Sequence, residues 1–200
     1  MAGETQNYHE TSDPYFQSAD FGSTSPLTTS ISMVPILRVP ATNLMFPAGY
    51  WLKPGRRWHI VMMLKCTTVA TPGNFTIEIR HQTGTPTDAG GTILATSAAT
   101  AWTLNKTNLT SVFHAYIESR GDATTFVPTA TPLFAYGVFH ADGTGALITS
   151  PGNPMMLPAS AAAAVNVDAT LAGSIHIDAK RSGSTAETIV VQDMAVNAMT

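Results

Sequence analysis

The sequence predicts an all-β protein, a β-sandwich or barrel of about eight or more strands preceded by an extended N-terminal arm. Three observations predict it. Short runs rich in Val, Ile, Thr and aromatic residues recur along residues 31–200, and several of them alternate apolar and polar side chains. Turn-forming clusters of Gly, Pro, Asp and Ser separate these runs. No long stretch carries the apolar stripe of a helix.

Residues 1–30, MAGETQNYHETSDPYFQSADFGSTSPLTTS, have no sustained periodicity and no Lys or Arg. Such a segment buries too little apolar surface on its own to offset the entropy of ordering it. Tyr8, Tyr15, Phe16 and Phe21 are spaced along it like anchors, so it reads as an arm that orders against a partner. Residues 31–200 carry no visible internal boundary and read as one sandwich domain.

The strand candidates begin with 31–39, where Pro35 argues for an edge or a bulge. Residues 56–69 form a long apolar run, and 74–81 alternate Phe75, Ile77 and Ile79 with Thr76, Glu78 and Arg80. Further strands are expected at 92–96, 109–119, 133–141, 145–149, 165–171, 173–179 and 186–197. In the 109–119 run, Phe113, Ala115 and Ile117 would face a core while His114, Tyr116 and Glu118 face away. The Arg120-Gly121-Asp122 that follows resembles a receptor-binding tripeptide, but Gly and Asp are turn formers and the strand has just ended. Only Ala159–Ala164 rivals this pattern with a short helix, or it serves as the long connection of a Greek key.

Composition narrows the function. Charged residues make up 12% of the chain, about half the usual share, while Thr accounts for 29 residues and Ala for 27. That balance suits sheet surfaces and subunit contacts better than a freely diffusing enzyme. Residues 1–35 hold four acids and no base, and residues 36–80 hold six bases and one acid, so the two segments could pair within or between chains. The polar, acidic N-terminus predicts no export signal, and no apolar run is long enough to predict a membrane helix. Cys66 lies in an apolar run, where it is expected to pack as a small hydrophobe.

Chemistry-bearing motifs are sparse. The six histidines are scattered, with none in metal-ligating spacing, and His114, His140 and His176 fall on the outward phase of their strands. His176 and Asp178 would share one strand face, without partners to complete a metal set. Asp168, Asp178, Glu187 and Asp193 read as a solvated face. Serine-nucleophile, phosphate-loop and dinucleotide motifs are absent, so no catalysis and no cofactor are expected. Arg56, Arg57 and Trp58 form a basic-aromatic patch. With a net charge of −3, an acidic protein partner fits it better than nucleic acid.

The stretch GTILATSAATAWTLNKTNLTSVFHAYIESRGDAT, residues 91–124, resembles the middle of virion structural proteins of tailed bacteriophages. The preceding FPAGYWLKPGRRWHIVMMLKCTTVATPGNFTIEIRHQTGT is similar to their segment with a tight Pro-Gly turn, a long strand, a Pro-containing turn and an alternating strand. Glu118 near the end of its strand departs from the basic strand usual there. The resemblance implies a jelly-roll-like sandwich mounted on the phage particle and specifies no catalytic residue.

The first expectation is therefore a capsid decoration protein on the outer surface of the capsid. It would be a homotrimer that binds the major capsid protein and stabilises the head, through its arm and the Arg56–Arg57–Trp58 segment. Nucleic acid and membrane are not expected as partners. The alternative is a tail- or fibre-associated carbohydrate- or receptor-binding sandwich, for which Tyr50, Trp51, Trp58 and Trp102 are the candidate aromatics.

Overall fold

A computed structural model describes residues 34–36, 44–84, 90–121, 127–141, 154–160, 163–182 and 187–199. The arm, with Tyr8, Tyr15, Phe16 and Phe21, and the strand expected at 145–149 lie outside the described residues. Twelve strands follow one another in the described chain: β1 (Val34–Pro35), β2 (Met45–Phe46), β3 (Arg57–Thr67), β4 (Asn74–Thr83), β5 (Thr92–Thr96), β6 (Thr100–Ala101), β7 (Leu109–Ser119), β8 (Thr131–Ala141), β9 (Met155–Leu157), β10 (Val165–Val167), β11 (Gly173–Arg181) and β12 (Thr188–Met199). The protein is the all-β sandwich that the patterning predicts.

Two antiparallel sheets make it up. The first runs β1-β11-β4-β5, with β2 also on β11 and β6 also on β4. The second runs β10-β8-β7-β3-β12, with β9 also on β8. Pairing of β4 with β11 joins residues 90 to 106 positions apart and pairing of β3 with β12 residues 121 to 142 apart, so the sheets are not simple meanders. Alternation then assigns the faces. In β3, Trp58, Ile60, Met62, Leu64 and Cys66 are buried in the core, and their neighbours in sequence point outward. Phe113, Ala115 and Ile117 of β7 join that core, as expected.

Differences from the expected elements have local causes. The strand expected over 165–171 stops at Val167, because the Asp168 carboxylate accepts the backbone N–H of Thr170 at 2.9 Å and turns the chain. Residues 158–160 form bends, and no helix occurs among the described residues of the alanine run. Strands β2, β6 and β9, of two or three residues each, are too short to show a period. The 109–119 strand is found with those bounds, ending one residue before Arg120; Asp122 lies outside the described residues.

Candidate functional site

The outer faces of the two sheets differ in kind. On the first, β11 and β4 align Ser174 with Gln82, His176 with Arg80 and Asp178 with Glu78. Asp178 was expected to be solvated and His176 to face outward, yet Asp178 has no exposure and His176, Glu78 and Ser174 are buried. Arg80 explains why: its guanidinium bonds Glu78 at 2.6 Å and approaches Asp178 at 3.5 Å, filling the place where a metal cation would sit beside the carboxylates. Ser174 Oγ lies 2.9 Å from His176 Nε2, the first half of a serine–histidine–aspartate relay. The second half fails on distance, since Asp178 Oδ1 is 3.9 Å from His176 Nδ1, and Ser174 has no surface for a substrate to reach. Glu187, also read as solvated, is buried against Arg181 in an ion pair and accepts the Gly73 N–H. Asp193 is exposed, as expected.

The second sheet turns a different face outward. Register sets Asn197 opposite His59, His59 opposite Tyr116, and Tyr116 opposite Tyr136 across four strands. The His59 and Tyr116 rings stack at 4.2 Å, and Tyr116 and Tyr136 at 4.6 Å, spacings close to the distance between strands. Rings stacked in that direction stand upright on the sheet. Tyr116 has both faces covered, so the row presents ring edges, hydroxyls and imidazole nitrogens rather than open ring faces. The next row places Ala195, Val61, His114 and Val138 in line, with Met156 beyond. Met63, at 45% exposure, lies in the row after that with Asp193, Val112 and His140.

His59 Nε2 and His114 Nδ1 are 3.1 Å apart with their rings within 15° of coplanar. The centroid separation of 5.4 Å makes the contact head-on, a single N–H···N hydrogen bond and not two lone pairs converging on a metal. Among the described residues, no three His, Cys, Asp or Glu side chains gather in metal-ligating geometry. Partial burial lowers the pKa of both rings, and the neighbouring imidazole lowers each further, His114 acting on His59 and His140 on His114. Both are therefore neutral at pH 7.

Charge on this face lies at its two ends and at Asp193 on the outer strand β12. At one end Glu118 is held by Arg57 at 3.3 Å and by Arg120 at 3.0 Å, while Arg120 also lies over the Phe134 ring. Burial pushes the Glu118 carboxyl up, but hydrogen bonds and charge from the two arginines outweigh it and leave its pKa lowered. Lys65 marks the other end, and Asp193 on the outer strand β12 stands opposite Met63.

The basic-aromatic segment is engaged within the chain. Arg56 donates to the Tyr50 carbonyl at 2.6 Å and lies over the Tyr50 ring; Trp58 donates to the Tyr50 hydroxyl at 2.7 Å and is buried; Arg57 pairs with Glu118. Trp51 has no exposure and packs edge-on against Phe46 and Tyr50. Trp102 is buried against Phe75 at 4.4 Å, closing one end of the core. None of these tryptophans offers an open ring to a sugar. The sequence singled out His114 and Tyr116 as outward-facing, but not the row that Tyr116 forms with His59 and Tyr136 or the contact of His114 with His59.

No family model and no curated protein matches the chain. Among solved structures it is similar to the CBM2 module of the evolved Dit of Lactobacillus casei BL23 phage J-1, at 12% identity and a TM-score of 0.28. The match covers 76% of this chain and 66% of that one, just under two thirds of the neighbour's length. At that level the likeness carries no argument about ligand or role.

Proposed function

We propose that this chain is a non-catalytic binding module of a tailed-bacteriophage particle, carried on the tail or a fibre, that docks a protein surface onto the outer face of its second sheet. One observation carries the mode of action. The middle of that face, the His59–Tyr116–Tyr136 row and the Val61–His114–Val138 row beside it, is continuous and carries no Asp, Glu, Lys or Arg, with Met63, Val112 and Met156 bordering it, and large contiguous apolar patches mark interaction sites. The resemblance of residues 46–124 to phage virion proteins supports the particle. Upright, mutually stacked rings favour a protein partner over a sugar, which needs an open ring face.

Capsid decoration is the second reading. It draws on the low charge and the acidic segment 1–35, but its expected anchor of Arg56, Arg57 and Trp58 has its partners inside the chain. Immunogold labelling of particles that carry the chain separates the two. Label on tails or fibres is the expected result; label spread evenly over heads moves the assignment to decoration; particles without label overturn both.

A further inference from the structure

We propose that the protein surface docked on the second sheet is a second copy of this chain, so that two sandwiches pack sheet face to sheet face about a two-fold axis. This rests on the reading of that face as a binding surface and names its occupant.

Area is the first argument. Four strands of 11 or 12 residues, β8, β7, β3 and β12, span the face. At about 4.8 Å between strands and about 3.3 Å per residue, they present roughly 700 Å². A stable interface needs about 800 Å² from each partner, so the whole face, with its rim, is the size that one equal partner covers.

Chemistry is the second argument. Val61, Val112 and Val138 are half-buried, and Met63 and Met156 are 45% and 51% exposed, on a face where Asp193 of the outer strand β12, opposite Met63, is the one carboxylate between the charged ends among the described residues. A partner must be equally flat and equally uncharged in its middle to avoid burying an unpaired charge. The same face on another copy meets both requirements, and sheets stacked about 10 Å apart already build the core of this protein. A two-fold contact is also the commonest way for a single surface to satisfy itself.

The test is sedimentation velocity on the full chain at pH 7.5 over a hundredfold range of concentration. Wild type is compared with Met63→Glu and Ala195→Glu, both at exposed positions of the face, and with Ile93→Glu, an exposed position on the first sheet. The expected result is a dimer, twice the 21.1 kDa chain mass, for wild type and Ile93→Glu. The two face variants should be monomeric with unchanged circular dichroism, their dissociation constants raised at least tenfold. A wild-type monomer at every concentration overturns the proposal. So does a trimer, because one face cannot pair with itself around a three-fold axis, and so do face variants that dimerise like wild type. If wild type is monomeric but Met63→Glu weakens attachment to particles or to host cells, the second copy is wrong and the binding face stands. If Met63→Glu changes neither, both readings fall.

Discussion

Acid should destabilise this protein through one buried imidazole, His81. It lies on the core side of β4 with Ile77 and Ile79, is buried, and has the Phe46 ring 5.3 Å away. Burial is the main reason its pKa falls from 6.5 to about 4; the His176 charge pushes the same way, while its own backbone and Asp168 partly oppose. A histidine with a depressed folded pKa leaves the unfolded chain to bind the extra proton, so its contribution to stability is intact above pH 6.5 and is lost as pH falls toward 4. Between pH 7 and pH 5 about 1.5 of those pH units are crossed, worth roughly 2 kcal/mol at about 1.4 kcal/mol per unit. For a domain of this size that lowers the melting temperature by roughly 4–8 °C. His59 and His114 titrate in the same direction, so the decisive quantity is the difference between wild type and His81→Phe, which keeps a ring but not the titration. Calorimetry at pH 7 and pH 5 should show the variant losing less stability by about that amount. Parallel losses in the two proteins would refute the argument.

Four further outcomes follow from the packing and the face. Removing one partner of the buried Arg181–Glu187 pair, as Arg181→Met or Glu187→Gln, should cost about 3–5 kcal/mol by urea titration, while the double variant should cost less than the sum. Gly173→Ala should destabilise by about 1–3 kcal/mol, since its Cβ would lie 2.5 Å from the Gln82 carbonyl oxygen and 2.8 Å from the Phe46 ring. The Cys66 thiol, pushed up to about 12 by burial, should resist a thiol reagent in the folded protein at pH 8 and react fully in denaturant. Self-association should weaken from pH 7.5 to pH 5.0, because protonating both His59 and His114 sets two N–H groups head-on across their 3.1 Å contact. Equal sedimentation at the two pH values would count against that last outcome.

The long strands were legible because their pattern is local. β4 shows Phe75, Ile77 and Ile79 alternating with polar residues, and β7 does the same around Phe113. The buried charges were not legible, because what buries them is register. Asp178 reads as a solvated acid until β11 pairs with β4 and brings Arg80 beside it, nearly a hundred residues away in sequence. The histidine–tyrosine row is hidden for the same reason. His59, Tyr116 and Tyr136 each sit on the outward phase of a strand, but only the pairing of β3 with β7 and of β7 with β8 makes them one stack.

That register also explains how two outward faces of one sandwich come to such different compositions. In the first sheet the outward positions of β11 and β4 interleave acids with an arginine and a histidine, so burial is tolerated because each charge meets an opposite one. In the second, the outward positions in the middle of β3, β7 and β8 hold valines, a methionine and aromatic or imidazole rings, and the charges are displaced to the ends and to Asp193 on the outer strand β12. A sheet face meant only for water gains nothing from that arrangement, since antiparallel sheets usually put polar residues there. Leaving Met63 nearly half exposed in its midst is reasonable only if another surface covers it, and a charge introduced at that position is the perturbation to which such a surface is most sensitive.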